Sequence, residues 1–234
     1  MTTTFASALR GPGVLLLDGA LATELEGQGE DLSGGLWSAR VLRDAPERVA
    51  RVHLDYLTAG ADCVITASYQ ATVEGLVRAG ASPADARSVL RRSVSVARGA
   101  CDEFASQARP GPFVAASVGP YGAYLADGTP LREIAVEVAR SPSVVAVGVN
   151  CTAPRHIDAL ICELSAASDA PIIVYPNSGE GWDAEAGRWC SAGPRLDLVA
   201  AAAGWIDAGA KIIGGCCRTT PADIAGLRAL IDGR

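Results

Sequence analysis

Six short apolar runs recur along the chain, and helix-like segments separate them. The runs lie at 14–17, 61–65, 113–118, 144–149, 171–175 and 210–213. Apolar runs of this length that alternate with helices are typical of a parallel sheet covered by crossover helices. The joint Ala59-Gly60-Ala61, which links a helix to a run, recurs as Ala208-Gly209-Ala210, as expected of stacked βα units. The sequence therefore predicts an α/β protein made of repeated βα units.

The chain has 234 residues, which is enough for one sizeable hydrophobic core and short for two. A complete barrel of eight βα units typically needs ~250 residues. Six units fit the available length and eight would crowd it. We therefore expect a single domain over residues 1–234 with six main strands.

The last apolar run leads to two adjacent cysteines, Cys216 and Cys217, on a strand-to-helix turn. Thr220, followed by a proline and, three positions on, by Asp223, is typical of a capped helix start. Neighbouring residues on a strand face opposite ways, so both sulfurs can point at one place only if the backbone bends. Gly214-Gly215 supplies the freedom to bend.

A third cysteine, Cys151, stands in the same kind of position after the run 144–149. Because the carboxyl ends of parallel strands meet at one edge of a sheet, the three thiols can converge there. Thiolates favour zinc among the common cellular ions, and three protein ligands leave a fourth position for a substrate. A disulfide or inert buried thiols are the alternatives. The spacing, which matches no short zinc-finger pattern, leaves them open.

Five motifs run from near residue 14 to the end of the chain: LLLDGALATEL, TASYQAT, SVGPYGAYLADG, GVNC and GGCCRTTP. Together and in this order they resemble the homocysteine S-methyltransferases, in the branch that uses S-methylmethionine or S-adenosylmethionine as methyl donor. The resemblance implies a (β/α)8 TIM barrel. It also implies a zinc ion, Zn2+, held by Cys151, Cys216 and Cys217.

The resemblance further implies how the substrates are held. Asp18, with the backbone of Gly19 and Ala20 at the end of the first strand, is expected to hold the amino acid part of homocysteine. Trp37, near the methyl-donor pocket, and Asn150, beside the first zinc ligand, complete the predicted substrate-binding residues. From the sequence alone, Asp18 is also compatible with an N-cap of the next helix, and Trp37 with an ordinary half-buried aromatic residue.

One departure from the family pattern follows residue 128. In the family, a segment like YLADG follows the third strand and one like LADGTPL precedes the helix before the sixth, whereas here the two share Ala126-Asp127-Gly128. About two βα units are therefore missing. With them goes the family's glutamate at the end of the fourth strand, which helps hold the homocysteine amino group. We expect a six-stranded, incompletely closed barrel in which 113–118 pairs with 144–149 and open sheet edges favour self-association.

The expected chemistry is transfer of a methyl group from a sulfonium donor to the thiol of homocysteine, giving methionine. A free alkyl thiol has a pKa of about 8.5, so binding to zinc supplies the thiolate, and the cysteines act as ligands rather than nucleophiles. The missing units leave a second hypothesis, a non-catalytic zinc-binding remnant of the same fold. Homocysteine-dependent methyl transfer distinguishes the two.

Composition limits the partners. The net charge is −6 and no basic run is present, which argues against a nucleic-acid surface, and no apolar span has membrane length. Seven scattered cysteines, without a visible signal peptide, are typical of reduced thiols in the cytoplasm. We therefore expect a cytoplasmic protein with small-molecule substrates.

Three further features have alternative interpretations. His53, in the middle of a predicted helix from Pro46 to Ala59, is interpreted as a surface residue or a satisfied core residue without a part in the chemistry. Arg218 is expected to support the turn or to pair with a carboxylate, with a substrate contact as the alternative. The Gly-rich stretch 179–194 is either a lid or a surface loop held by its tryptophans.

Overall fold

The strands come from the six predicted apolar runs and from one further hairpin. The computed structural model describes residues 5–106, 113–115, 130–140, 144–183, 188–190 and 195–234. Within these residues the strands are β1 (Leu15–Leu16), β2 (Cys63–Ile65), β3 (Phe113–Ala115), β4 (Val147–Asn150), β5 (Ile172–Tyr175), β6 (Gly181–Asp183), β7 (Arg188–Cys190) and β8 (Ala210–Ile213).

Helices separate the parallel strands. In the described residues they are α1 (Phe5–Leu9), α2 (Leu21–Gly27), α3 (Ser38–Asp44), α4 (Pro46–Thr58), α5 (Val73–Arg78), α6 (Pro83–Ala105), α7 (Leu131–Ala139), α8 (Ile157–Ala167), α9 (Leu198–Asp207) and α10 (Pro221–Asp232). A 3-10 turn at Pro154–His156 precedes α8. No helix in this part of the chain is long and apolar enough to cross a bilayer.

Capping side chains begin α6 and α10, and the second of these starts is the one predicted from Thr220 and Asp223. The Ser82 hydroxyl accepts a hydrogen bond from the backbone N–H of Asp85 at the start of α6. At α10, Asp223 Oδ2 accepts from the backbone N–H of Thr220, 2.8 Å away, which completes a capping box. α10 therefore starts at a defined distance from the Cys216-Cys217 turn.

Six strands run parallel in the spatial order β3-β2-β1-β8-β5-β4. Ladders join β1 to β8, β8 to β5, β5 to β4 and β2 to β3, and a bridge between Leu17 and Cys63 links the β1 end to β2. The last strand returns beside the first, as in a barrel of βα units. The predicted fold class, a TIM-barrel-type α/β fold with about six main strands, is confirmed.

One side of the barrel is open in the described residues. There, β3 bonds only to β2 and β4 only to β5. The expected pairing of 113–118 with 144–149 is therefore not found in the described parts of these strands, and residues 116–118 lie outside them. A closed barrel of six strands needs its own tilt and stagger. These strands leave an opening instead.

The stretch 179–194 contains a β-hairpin, which the sequence did not predict. Strands β6 and β7 pair antiparallel, with Trp182 opposite Trp189, and stand outside the parallel sheet. Their alternation of large and small residues is too short to separate a strand from a loop, since each strand has three residues. Part of the stretch, 184–187 and 191–194, lies outside the described residues.

The repeated helix-to-strand joint has the same geometry twice. Gly60 after α4 and Gly209 after α9 both have φ of +109°, a conformation that a side chain disfavours. Each glycine donates its N–H back into the preceding helix and turns the chain toward the next strand. The expectation of stacked βα units from this joint is confirmed.

Candidate metal centre

Two strand ends bring the three predicted ligands together. Cys151 follows β4, and Cys216 and Cys217 follow β8, two strands away across β5. The three Sγ atoms all lie within 4.8 Å of one another, and those of Cys151 and Cys217 are 3.3 Å apart. A disulfide needs about 2.05 Å. Around tetrahedral zinc, Zn–S bonds of about 2.3 Å put sulfurs about 3.8 Å apart, so the spacing fits a shared ion.

The chain after β5 lies between the two ligand turns and bonds to both. The carbonyl oxygens of Tyr175 and Pro176 accept hydrogen bonds from the backbone N–H groups of Cys151 and Cys216, at 3.0 and 2.8 Å. The side-chain amide of Asn177 donates to the Cys151 carbonyl at 2.9 Å. The end of β5 thus sets the distance between the two ligand turns, although no residue of β5 is itself a ligand.

At the cysteine pair, Gly214-Gly215 does not have the role in bending the backbone that the sequence suggested. Neither Gly214 nor Gly215 has a positive φ, whereas Arg218 (φ +69°) and Cys151 (φ +47°) do. The glycines are required for close packing. A Cβ on Gly214 would lie 2.7 Å from Leu17, and one on Gly215 would lie 2.3 Å from the hydroxyl of Thr219. The strained backbone is therefore at the ligands and beside them.

The thiols share their charge unequally. Hydrogen bonds from the Cys216 and Cys217 thiols lower the pKa of Cys151 far below its usual range. The contact with Cys151 and burial raise the pKa of both partners. The cluster thus holds one thiolate readily, and three thiolates this close would repel one another. A divalent cation is the group that would let all three ionise.

Asp18 lies just past the end of β1, in the wall of the same site. Its Oδ2 accepts a hydrogen bond from the Ile65 N–H at 2.9 Å, which ties β1 to β2, while the buried Oδ1 has no partner in the described structure. Burial raises the pKa of Asp18 well above its usual range. It is not the N-cap of α2, because Ala20 takes that place.

His53 on α4 lies behind Asp18, a relation that the sequence did not predict. Its Nδ1 is 4.0 Å from Asp18 Oδ2, and the residue is 1% exposed. Neither ring nitrogen has a partner in the described residues, and burial lowers the pKa of His53 to about 4. Its expected packed position is found. However, it is not a satisfied core histidine, since a neutral imidazole stands without bonds beside a buried carboxyl group.

Tyr56 connects the first strand end to the last. Its hydroxyl lies 3.1 Å from the carbonyl oxygens of both Ala20 and Thr219. A Cβ on Gly19 would come within 2.7 Å of the Tyr56 ring, so only glycine fits there. Helical spacing marks Tyr56 as a core residue but gives no sign of this link.

All eight predicted site residues line one cavity of about 1170 Å³, at the carboxyl ends of the strands. Typical ligand pockets have about 300–1,000 Å³, so this one has room for two small molecules. Its wall carries an excess of acidic over basic side chains. The acidic ones are Asp18, Glu26, Glu30, Asp31 and Glu180, and the basic ones are Arg188 and Arg218.

Aromatic side chains stand in the same wall: Trp37, Tyr69, Tyr175 and Trp189. Trp37 was predicted, and it is 39% exposed with φ of +47°. Trp189 enters from β7 of the hairpin. The described part of the stretch 179–194 therefore contributes to the site. Its composition had not decided between a lid and a surface loop.

The remaining cysteines lie apart from the cluster. Cys63 and Cys101 are buried, and Cys162 and Cys190 are exposed. Within the described residues, the one group of three or more His, Cys, Asp or Glu side chains with metal-binding spacing is Cys151, Cys216 and Cys217.

Comparison with known proteins finds one family. The profile of the family described as homocysteine S-methyltransferase matches residues 15–130 and 123–231. Residues 123–130 are matched twice, at the end of the first segment and the beginning of the second. One stretch of this chain thus corresponds to two places in the family pattern, as the shared Ala126-Asp127-Gly128 predicts.

Individual relatives agree with the profile. The homocysteine S-methyltransferase YbgG of Bacillus subtilis is 37% identical over 295 aligned positions, which cover 92% of this chain and 94% of that protein. The selenocysteine Se-methyltransferase of Brassica oleracea var. italica is 34% identical over 311 positions, with 95% and 90% covered. Both alignments are longer than the 234 residues of the chain, so part of each relative has no counterpart here.

A solved structure shares the architecture. The metallated form of the homocysteine methyltransferase MmuM from Escherichia coli superposes with a TM-score of 0.80 at 33% identity, covering 94% of this chain and 97% of that one.

Proposed function

The chain belongs to the homocysteine S-methyltransferase family, and we propose that it transfers a methyl group from a sulfonium donor to the thiol of homocysteine, giving methionine. The observation that carries the proposal is the convergence of Cys151, Cys216 and Cys217 on one point in a cavity that has room for two substrates. The proposed active unit is a single barrel domain over residues 1–234.

The proposed metal is zinc, with these three cysteines as its ligands. Their sulfur donor atoms, their spacing and the hydrogen bonds that fix both turns suit this ion. Bound zinc would supply a homocysteine sulfur that is deprotonated at neutral pH and keeps a lone pair. Reduced thiols of this kind persist in the cytoplasm, which is the proposed location.

Asp18 is the proposed partner of the homocysteine ammonium group. Its Oδ1 is buried and lacks a hydrogen bond in the described residues, and Asp18 is one of the residues that line the cavity, so an ammonium group would supply the missing contact. Gly19, Ala20 and Asn150, in the same wall, are the proposed further contacts of the amino acid. These residues are only part of the set that holds homocysteine in the family, because the segment with the family's glutamate is missing.

A sulfonium donor suits the charge of the cavity. The excess of carboxylates favours a cation, and the aromatic residues Trp37 and Trp189 line the same cavity. Both S-methylmethionine and S-adenosylmethionine carry this positive sulfur. The chain's contribution to the reaction step is to hold donor and acceptor in line.

One purified, reduced sample tests the proposal. We expect about one zinc per chain by mass spectrometry. Methionine should form only when homocysteine is present, with S-methylmethionine and S-adenosylmethionine supplied in separate reactions. A chain that holds zinc but forms no methionine with either donor would instead be the non-catalytic remnant. A chain without bound metal would contradict the zinc assignment itself.

A further inference from the structure

Arg218 directly follows the ligand pair and has φ of +69°, a left-handed conformation that favours glycine. Its side chain meets Glu180 in two parallel contacts. The distances are 3.1 Å from Nε to Oε2 and 3.3 Å from Nη2 to Oε1. Charge-assisted hydrogen bonds in this arrangement fix the direction of both side chains. The guanidinium is thus already paired with protein, rather than presented to a substrate carboxylate.

The backbone of Arg218 is held from two other segments. Its N–H donates to the Thr23 hydroxyl of α2 at 3.0 Å. Its carbonyl oxygen accepts from the Arg195 guanidinium at 2.9 Å. The contacts of one residue therefore join three parts of the chain, which offsets the strain of its φ.

Glu180 is also connected, through Ser178, back to the turn that carries Cys217. The Ser178 hydroxyl donates to Glu180 Oε2 at 2.7 Å, and the Ser178 backbone N–H donates to the carbonyl oxygen of Cys217 at 3.1 Å. The contacts close a ring that runs from Cys217 through Arg218, Glu180 and Ser178 and back to Cys217. Glu180 also directly precedes β6, so the ring fixes the base of the hairpin.

We infer that Glu180, acting through Arg218, is a positioning residue that keeps the Cys217 turn in its metal-binding conformation. The inference rests on the proposed metal site. Groups that bond to the segments around metal ligands typically change metal affinity about 10–100-fold when they are removed. Opening the ring at Glu180 leaves the three sulfurs in place but frees the turn that carries Cys217 and Arg218.

The experiment compares Glu180→Gln with Glu163→Gln. Glu163 also forms an ion pair with an arginine, Arg132, 2.8 Å away, but it joins α8 to α7 and is absent from the cavity wall. Zinc-loaded wild type and variants are mixed with a colorimetric chelator, and the rate of zinc transfer is followed. We expect about tenfold faster release from Glu180→Gln and the wild-type rate from Glu163→Gln. Thermal unfolding of the zinc-free proteins should not distinguish the two variants.

Arg218→Gly supplies a second, independent measurement. Glycine adopts φ of +69° without strain, so this variant relieves the backbone while it removes the side chain. We expect faster zinc release even where the zinc-free protein is as stable as wild type. In the Arg218→Gly background, Glu180→Gln should add no further acceleration, because both changes open the same ring.

The outcomes separate the inference from the proposed function. A wild-type chain that binds no zinc refutes both. Wild-type release rates in Glu180→Gln, in a protein that does bind zinc, refute only the positioning role. Unchanged zinc release in Arg218→Gly together with a raised KM for homocysteine would also overturn it, by making Arg218 a substrate contact.

Discussion

At the scale of single residues, Asp18 stands in surroundings that oppose its charge. Its carboxyl group is buried, one oxygen has no partner in the described structure, and the nearby His53 is held neutral by its own burial. Such a group lowers the stability of the empty protein and favours a ligand with positive charge.

We predict that Asp18→Asn is more stable than wild type at neutral pH and binds homocysteine worse. Since burial raises the pKa of Asp18, the folded state keeps a proton that the unfolded state releases above pH ~3.9. Wild-type stability therefore falls as pH rises from there through the folded pKa, and the variant escapes this loss. Thermal unfolding from pH 4 to 8 should show an advantage that grows with pH. A constant difference across this range would contradict the assignment.

The cysteines give a second prediction at this scale. Alanine at Cys151, Cys216 or Cys217 should remove most of the bound zinc, because two thiolates no longer complete the site. The exposed Cys162 is the matched control, and Cys162→Ala should keep about one zinc per chain. Metal content by mass spectrometry decides. Full zinc in all three single variants would refute the ligand set.

At the scale of elements, the joints between helix and strand depend on glycine only where φ is positive. Gly204, inside α9, and Gly209, just after it, are both exposed and have no atom within 4 Å of an added Cβ. They differ in backbone, because Gly209 has φ of +109°. The two positions are therefore alike in residue type and in the free space around an added Cβ, and they differ only in backbone conformation.

Alanine substitution should therefore act in opposite directions. Gly204→Ala should stabilise the protein by up to ~1 kcal/mol, since alanine is the better helix former. Gly209→Ala should destabilise it by ~1–2 kcal/mol, because the added Cβ strains a left-handed conformation. Thermal unfolding should show shifts of opposite sign, each of about 2–4 °C per kcal/mol. Shifts of the same sign would mean that the joint tolerates another φ.

At the scale of the whole molecule, the described strands leave one side of the barrel without a ladder. In the described residues, β3 and β4 each have one unpaired side, and Val145, just before β4, is 42% exposed. Unpaired parallel strands offer backbone groups to another chain.

We predict concentration-dependent self-association through these edges. Light scattering after size exclusion should show a mass above that of the monomer as concentration rises. Val145→Lys should reduce the association, because a charge beside an edge strand opposes pairing. Val77→Lys, on α5 and with a similar exposure of 39%, should leave it unchanged. A monomer at all concentrations, or equal effects of both lysines, would refute an interface at the edge.

Much of the fold was readable in the sequence. Apolar runs, helix caps and the joint around Gly60 and Gly209 depend on residues close together in the chain, and so does the position of Cys151, Cys216 and Cys217 at strand ends. The shared Ala126-Asp127-Gly128 pointed to the missing units through the resemblance to the family. Local pattern predicts where an element begins and ends.

Only the tertiary structure decided which residues meet across the barrel. The Tyr56 hydroxyl reaches Thr219, 163 positions along the chain, and Glu180 reaches Arg218 after 38. His53 stands beside Asp18 because α4 packs against α2 and β2, and its helical position alone suggests an ordinary core residue. Contacts of this kind depend on the order and curvature of the strands, which no short stretch of sequence contains. The same holds for the missing ladder between the described parts of β3 and β4, since strand closure is a property of the whole barrel.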